Sequence, residues 1–122
     1  MVVATGIDLI EIGRVKESIS RHGYRFLNRI YTPSELVEAR ENPASLAAGF
    51  AAKEAVGKAL GTGIGPISWQ EVEILHGPSR QPELHLHGFA QKIALQQNLT
   101  TWSISLSHTQ THAIAVVIAV GN

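Results

Sequence analysis

Residues 46–60 read LAAGFAAKEAVGKAL, and this stretch decides the fold. Drawn as a helix at about 100° per residue, it places Leu46, Phe50 and Leu60 on one stripe and its alanines on a nearly opposite one. A helix that is apolar almost all round packs on several sides, so we expect it at the centre of the protein. Its only charges are Lys53, Glu54 and Lys58. Because burying an isolated charge is costly, each of them needs a partner or a function.

Helix and strand signals on both sides of this segment predict one α+β domain. Ser45 is a candidate N-cap for the central helix, and the glycine-rich residues 61–66 are typical of a helix stop followed by a loop. Upstream, Thr32 and Glu35 predict a capping box for a helix that the Asn-Pro pair at 42–43 breaks. The patterns predict strands over 2–10, 71–75, 83–87, 102–108 and 112–120, further helices over 12–21, 33–41 and 88–95, and a turn or short helix over 24–30. This order predicts a mainly antiparallel sheet packed with helices.

Composition limits the class of protein. The length suits a single domain, residues 1–122, with 44% hydrophobic and only 16% charged side chains. That low charge argues against disorder and suggests that a partner covers some of the surface. Ten basic and ten acidic residues balance, which disfavours a nucleic-acid-binding protein, and the lack of cysteine excludes disulfides and cysteine-ligated zinc. The longest apolar run, residues 113–120, is too short to span a membrane and the N-terminus lacks a basic signal sequence, so we expect a cytoplasmic protein.

Asp8 is the only charge in the apolar strand over residues 2–10, which we expect to be buried. Asp8 could simply cap the helix that begins near Glu11. Glu54 could simply pair with Lys58 at the favourable i,i+4 spacing, worth about 0.2–0.5 kcal/mol. Together, however, Asp8 and Glu54 could give two carboxylates to one Mg²⁺ ion, which prefers few protein oxygens and fills its shell with water and substrate phosphates. Lys58, one turn beyond Glu54, could then face the same phosphates.

The glycine-rich loop at residues 61–65, GTGIG, allows two interpretations. Flexible amides can form an anion-binding nest, which makes Gly61, Thr62 and Gly63 candidate phosphate contacts. A glycine-rich helix end is otherwise an ordinary C-cap. The loop is not a P-loop, because the GxxxxGK[ST] pattern is absent.

Three blocks of sequence, in their order and spacing, resemble the holo-[acyl-carrier-protein] synthase family of small 4′-phosphopantetheinyl transferases. They are GIDLIEIGRV at 6–15, FAAKEAVGKALGTG at 50–63 and SLSHT at 105–109. The middle block is highly specific, and the other two gain specificity from their order and spacing. The resemblance covers nearly the whole chain and implies the 4′-phosphopantetheinyl transferase fold.

The resemblance implies a reaction and a set of site residues. The 4′-phosphopantetheine arm of coenzyme A moves to a serine of apo acyl carrier protein, in support of fatty acid biosynthesis, and 3′,5′-ADP is released. Carried over residue by residue, Asp8 and Glu54 are catalytic magnesium ligands, Lys58 lies beside the pyrophosphate, and His108 is at the coenzyme A site. The family's homotrimer, with active sites between subunits, carries over as well. The general base stays open, because Glu35 is a conceivable further carboxylate although its capping role is favoured.

One position departs from the family pattern. The residue before Phe50 is usually arginine in this family, and here it is Gly49. A glycine in mid-helix costs roughly 0.5–1 kcal/mol relative to alanine. The change also removes a cation suited to a phosphate or a neighbouring subunit, which puts that one contact in doubt.

Five of the ten basic residues lie close together near the N-terminus. They are Arg14, Lys16, Arg21, Arg25 and Arg29. This cluster is either a solvated helix face or a docking patch for an acidic partner. Because carrier proteins are acidic, the resemblance favours docking of apo acyl carrier protein at Arg14, Arg21 and Arg25.

Other functions remain open on the residues alone. A magnesium-dependent phosphate-ester hydrolase could use the same Asp8, Glu54 and Lys58, and a catalytically silent binding subunit is a third possibility. His85 and His87 share one strand face and could bind zinc, but alternation of this kind is common in any half-exposed strand.

Overall fold

Five strands and five α-helices make up the fold. The computed structural model describes all residues from 1 to 122. In chain order the elements are β1 (Val2–Glu11), α1 (Ile12–His22), α2 (Tyr24–Ile30), α3 (Pro33–Ala39), α4 (Pro43–Leu60), β2 (Val72–His76), β3 (Pro82–Leu86), α5 (Gly88–Gln96), β4 (Thr101–His108) and β5 (His112–Gly121), with a 3₁₀ turn at Trp69–Glu71 before β2. Every predicted helix and strand is present, and most boundaries agree to within one residue.

The strands form two antiparallel sheets, which confirms the predicted α+β class. The larger sheet has the order β1-β5-β4, and β2 and β3 form a separate hairpin. In the larger sheet Asp8 of β1 lies opposite Ala115 of β5, while His108 of β4 lies opposite Ala113. Strand β5 therefore separates Asp8 from His108.

The helix α4 lies at the centre, as its all-round apolar pattern predicts. It packs on the inner face of β1 and β5, where β5 presents Val117 and three alanines, Ala113, Ala115 and Ala119. Gly6 of β1 makes the closest approach. A Cβ atom at Gly6 would overlap the carbonyl oxygen of Ala55 and lie 2.7 Å from its carbonyl carbon. Glycine at this position therefore lets the strand lie directly on the helix backbone.

The start of α4 differs from the prediction. The helix begins at Pro43, and its N-cap is Asn42, whose side chain accepts hydrogen bonds from the backbone N–H groups of Ala44 and Ser45. The prediction of Ser45 as the cap is wrong, because Asn42 caps better and Pro43 suits the first helical position. The preceding helix α3 ends at Ala39, earlier than predicted, since Arg40 and the next residue have left-handed backbones.

The capping box at the start of α3 is confirmed. The N–H of Glu35 donates to the Thr32 hydroxyl, and the Glu35 carboxylate accepts the N–H of Thr32. Both oxygens of Glu35 are engaged, because Ile74 of β2 donates its N–H to the second one. Glu35 is buried and joins α3 to the β2–β3 hairpin.

Strand β1 is buried on one face only, so the prediction of a fully buried strand is wrong for a single chain. Its inner face, which includes Gly6, packs on α4, while the side chains of the outer face reach solvent. Ile7 is 55% exposed and Leu9 is 62% exposed. On the neighbouring β5, Ile118 is also exposed. The larger sheet therefore presents an apolar outer face that no element of the same chain covers.

Candidate active site

The contact between β1 and α4 brings Asp8, Glu54 and Lys58 together. The Nζ atom of Lys58 donates to the carbonyl oxygen of Ile7 at 2.9 Å and lies 3.3 Å from Oδ1 of Asp8. Glu54 is half-buried one turn earlier on α4 and interacts electrostatically with Asp8 and with Lys58. Gly6, two residues before Asp8 on the same strand face, makes this proximity possible. Residues about 50 positions apart in the chain thus form one cluster.

Neither of the simpler explanations for these charges, a pair within the helix or a helix cap, is found in the structure. The ion pair of Lys58 is with Asp8 and not with Glu54, so the expected i,i+4 pair within the helix is not formed. Asp8 does not cap a helix either. The N-cap of α1 is Glu11, and no side chain accepts a hydrogen bond there. Asp8 therefore pairs with Lys58 between β1 and α4, and neither a helix cap nor an i,i+4 pair accounts for Asp8 or Glu54.

The cluster carries one more negative charge than positive charge. Burial is the main cause that raises the pKa of Glu54 above its ordinary value, and the nearby Asp8 carboxylate raises it further. The ammonium group of Lys58 opposes this shift in pKa only partly. A partly buried pair of carboxylates with one ammonium group is an environment that a divalent cation stabilises.

The residues present fit a magnesium ion. Two carboxylates supply the hard oxygen ligands that Mg²⁺ prefers. The chain holds no group of three or more His, Cys, Asp or Glu side chains placed to bind a metal together. Asp8 and Glu54 would therefore leave most of the coordination shell to water and phosphate oxygens, which is the usual arrangement for Mg²⁺.

The glycine-rich loop caps α4 and does not form the expected nest. The amides of Gly61, Thr62 and Gly63 donate to the carbonyl oxygens of Gly57 and Lys58 at the end of the helix. These three amides are used by the fold, so the interpretation of them as anion donors is wrong. Gly61 and Gly63 have positive φ, which lets the loop fold back against Gly57. The loop thereby forms a side-chain-poor wall next to Lys58.

Lys53 has a structural role. In the sequence it was only a charged residue without an evident partner. Its side chain is fully buried, and Nζ lies 2.9 Å from the Glu35 carboxylate. The same Nζ donates to the carbonyl oxygens of Trp69 and Val72. Burial lowers the pKa of Lys53, although Glu35 opposes the shift. This buried pair ties α3, α4 and the 3₁₀ turn together and fixes the orientation of the helix that carries Glu54.

His108 lies away from the carboxylate cluster. It is exposed at the end of β4 and lines two adjoining cavities of about 480 and 820 Å³. Neither cavity is lined by Asp8, Glu54 or Lys58. One chain therefore presents the predicted site as two separate parts.

The larger cavity contains residues that sequence reasoning missed. Arg40 follows α3, Arg80 lies in the turn between β2 and β3, and both line the cavity together with Gly49 and His108. No motif in the sequence connects Arg40 with Arg80, because only the fold brings them together.

The basic residues predicted to dock a partner are on the surface. Arg14, Arg21 and Arg25 are all exposed on α1 and α2, and the buried face of α1 is formed by other residues. Arg21 makes an exposed ion pair with Glu17 at 2.9 Å. The patch is therefore accessible, and Arg14 and Arg25 make no ion pair within the chain.

Comparison with known proteins gives one consistent result. Residues 4–117 match the family model described as the 4′-phosphopantetheinyl transferase superfamily. The chain is 42% identical to the holo-[acyl-carrier-protein] synthase of Herpetosiphon aurantiacus over 98% of this chain and 100% of that protein. It is 48% identical to the enzyme of the same name from Dehalococcoides mccartyi, over 94% of this chain and 96% of the relative.

Solved structures agree with the sequence comparison. The crystal structure of Helicobacter pylori holo-[acyl-carrier-protein] synthase in complex with coenzyme A superposes with a TM-score of 0.88 at 35% identity. The superposition covers 95% of this chain and 99% of the Helicobacter pylori chain. The Neisseria meningitidis enzyme superposes with a TM-score of 0.87 at 33% identity, over 95% of this chain and 96% of that chain. By sequence and by fold, the chain belongs to the holo-[acyl-carrier-protein] synthase family of 4′-phosphopantetheinyl transferases.

Proposed function

We propose that the chain transfers the 4′-phosphopantetheine arm of coenzyme A to a serine of apo acyl carrier protein, with Mg²⁺ as cofactor and 3′,5′-ADP as the second product. The meeting of Asp8, Glu54 and Lys58 at one point is the observation that carries the proposal. In the reaction the serine oxygen forms a bond to the phosphorus of the arm. The anhydride bond to 3′,5′-ADP breaks, and the serine proton leaves to solvent.

Asp8 and Glu54 are the proposed magnesium ligands. When bound, the ion supplies neutralisation of charge on the diphosphate and alignment of the reacting phosphorus. Glu54 would bind the ion as a carboxylate. Without a cation, burial raises the pKa of Glu54 and so favours the protonated form, and a bound cation would favour the carboxylate. The half-buried position of Asp8 limits its freedom and holds its carboxylate towards α4.

Lys58 is the proposed diphosphate-binding residue. Its ammonium group is half exposed and reaches Asp8 along the surface between β1 and α4. The positive charge of Lys58 attracts a phosphate group that binds there, and it stabilises the negative charge that develops on the leaving group. The side-chain-poor wall at Gly61, Thr62 and Gly63 allows coenzyme A to approach closely beside Lys58.

The active protein is proposed to be a homotrimer with sites between subunits. Two observations support assembly. The outer face of the larger sheet exposes Ile7, Leu9 and Ile118, and a contiguous apolar face of this kind is typical of an interface. In addition, the His108 cavities lie apart from the Asp8 cluster within one chain, so a second copy can complete the site. Sedimentation equilibrium tests this directly, since a monomeric active enzyme would contradict it.

The exposed patch of Arg14, Arg21 and Arg25 is the proposed docking surface for the acidic carrier protein. Opposite charges steer association and fix its register more than they add affinity.

Because both substrates are intracellular metabolites or proteins, we place the reaction in the cytoplasm, where it supports fatty acid biosynthesis. In the structure, none of the five helices has the length and apolar composition that crossing a bilayer requires.

A transfer assay tests the proposal. The protein is incubated with MgCl₂, coenzyme A and an apo acyl carrier protein, and the carrier is weighed by mass spectrometry. Transfer adds the arm, about 340 Da, to the carrier as a covalent modification. Loss of coenzyme A without a gain of mass would indicate the hydrolase instead. No change in either would indicate a silent binding subunit.

A further inference from the structure

Lys53 is the one charged side chain of the protein that is completely buried. Its ammonium group has three N–H donors, and each of them has an acceptor. Nζ lies 2.9 Å from Oε1 of Glu35, 2.9 Å from the carbonyl oxygen of Trp69 and 2.6 Å from that of Val72. These acceptors belong to α3, the 3₁₀ turn and the first residue of β2. The ammonium group is therefore held from three segments of the chain.

The Glu35 carboxylate is itself fixed in place. Oε1 also accepts the backbone N–H of Thr32 at 2.8 Å, and Oε2 accepts that of Ile74 at 2.8 Å. The hydroxyl of Thr32 in turn donates to Glu73 of β2 at 2.6 Å. Glu35 is therefore attached to α3 and to the β2–β3 hairpin at once, and it is a rigid anchor for Lys53.

The remaining contacts of α4 do little to fix its rotation about its own axis. On the side of β1, Gly6 lies against the helix backbone at Ala55 and Ala59, so no side chains interlock there. Most of the buried residues of α4 are small, namely Ala47, Ala48, Ala51, Ala52, Ala55, Gly57 and Ala59. Side chains that interdigitate fix the relative orientation of packed elements, and methyl groups interdigitate less than large side chains do. The three hydrogen bonds of Lys53 supply the direction that this smooth surface lacks.

Glu54 is the next residue on α4, so its direction follows the rotation of the helix at Lys53. A side-chain end lies about 5–6 Å from the helix axis, and a rotation of about 10° therefore moves the Glu54 carboxylate by about 1 Å. Mg²⁺ demands near-ideal octahedral geometry with short bonds to its ligands. A displacement of that size is large for a ligand of this ion, and the alignment of Glu54 with Asp8 depends on the rotation of α4.

Stability alone does not account for a buried ion pair at this place. Replacing such a pair with well-packed apolar residues is often neutral or stabilising, because both charges must be removed from water. An apolar residue at position 53 would fill the space but would make no directional contact with Trp69, Val72 or Glu35. What the pair adds to an apolar contact is a fixed orientation of α4.

We propose that Lys53 is a positioning residue for the metal pair, and that its hydrogen bonds set the rotation of α4 that directs Glu54 towards Asp8. The inference rests on the proposed function, in which this pair holds Mg²⁺. Lys53 is fully buried and acts through the helix backbone, without touching the ion or the substrate. Residues that orient metal ligands typically contribute about 10–100-fold to metal affinity. The Mg²⁺ concentration for half-maximal transfer should therefore rise about ten-fold without Lys53, while KM for the carrier protein stays nearly unchanged.

The first test measures metal binding without catalysis. Mn²⁺, which accepts the same oxygen ligands, is titrated into the protein alone, and the relaxation of water protons reports its binding. The double variant Glu35→Gln, Lys53→Met removes both charges, so neither is left buried without a partner. Ile93→Ala, a buried change on α5, is the control for lost stability, which urea denaturation measures in parallel. We expect about ten-fold weaker Mn²⁺ binding by the double variant and wild-type affinity in the control, and an unchanged affinity in the double variant overturns the proposal.

The second test restores the ammonium group chemically. The chain has no cysteine, so the single thiol of Lys53→Cys can be alkylated selectively in urea before refolding. Treatment with 2-bromoethylamine forms a thioether that ends in an ammonium group at nearly the length of lysine, whereas iodoacetamide adds an uncharged amide. We expect the first product to regain Mn²⁺ affinity and the second to stay weak. Equal affinities of the two refolded products contradict the role of the ammonium group.

These binding measurements use no coenzyme A and no carrier protein, so they separate this inference from the proposed function. If the differences in Mn²⁺ affinity appear as expected but the wild-type protein modifies no carrier protein, the proposed reaction alone is wrong. A wild-type protein that binds no Mn²⁺ contradicts the metal pair of Asp8 and Glu54, and the positioning role of Lys53 with it.

Discussion

Replacing Gly6 with alanine should damage the active site without touching any of its charged groups. The new Cβ would lie 2.7 Å from the carbonyl carbon of Ala55 and 3.1 Å from the amide nitrogen of Ala59, both backbone atoms of α4. Ordinary contacts begin at 3.4 Å. Strand β1 and helix α4 must therefore separate by more than 0.7 Å, the difference between 2.7 and 3.4 Å, because the carbonyl oxygen of Ala55 lies closer still and backbone atoms cannot rotate away.

Two effects follow from this separation. Overpacking of a well-packed contact costs about 1–3 kcal/mol of stability. Asp8 lies two residues further along β1, so it moves away from Glu54 and Lys58 by a similar distance. Since a misplacement of about 1 Å at a reacting centre can cost about 100-fold in rate, we expect the Gly6→Ala variant to lose about ten-fold or more in kcat.

The assay combines urea denaturation with carrier-protein transfer at saturating coenzyme A. Gly13→Ala is the matched control, because a Cβ at Gly13 meets no atom within 4 Å. Gly13 lies inside α1, so alanine there should leave the activity unchanged and raise the stability slightly. A Gly6→Ala protein with normal activity and a normal unfolding midpoint would refute the close packing of β1 on α4 as the basis of the site.

Three further changes test other parts of the structure. Asp8→Asn should lower the raised pKa of Glu54, because the change removes a negatively charged neighbour, and NMR titration of the metal-free protein measures that pKa. Ionisation of Glu54 reduces the stability of the fold as the pH rises through its raised pKa, and this loss of stability should be smaller in the variant. Lys53→Met should cost about 3–5 kcal/mol in urea denaturation, because it leaves Glu35 buried without its cation, and an unchanged midpoint would contradict the buried pair. Arg14→Glu should raise KM for the carrier protein and leave KM for coenzyme A nearly unchanged, whereas equal changes in both would remove the docking patch.

Local signals in the sequence were enough to predict the elements of the fold. Thr32 and Glu35 mark a helix start through their own hydrogen bonds, and Gly61 marks a helix end through its left-handed backbone. These features depend on neighbours within a few residues, so they can be derived from the sequence. The start of α4 was predicted wrongly, because the Asn-Pro pair at 42–43 was interpreted only as the end of the preceding helix, whereas Asn42 caps the next helix and Pro43 is its first residue.

Tertiary contacts explain what the sequence left undecided. Lys53 and Lys58 lie on one helix with the same chemistry, yet Lys53 faces α3 and is buried while Lys58 faces β1 and is half exposed. Arg40 and Arg80 are separated by α4, the 3₁₀ turn and β2, and no spacing rule connects them. The outer face of β1 reads as buried in the sequence because its residues are apolar. In one chain that face is exposed, which is why we propose that a second copy covers it.

The magnesium dependence of carrier-protein modification tests the central claim most directly. The initial rate is measured over a range of free Mg²⁺ for the wild-type protein, for Glu54→Gln, and for Glu83→Gln as an exposed control on β3. Glutamine keeps the shape of Glu54 and removes its charge, so the Glu54→Gln variant should need much higher Mg²⁺ for half-maximal rate, while the control follows the wild-type curve. A Glu54→Gln protein with the wild-type rate and Mg²⁺ response would contradict the assignment of Asp8 and Glu54 as the pair that holds the ion.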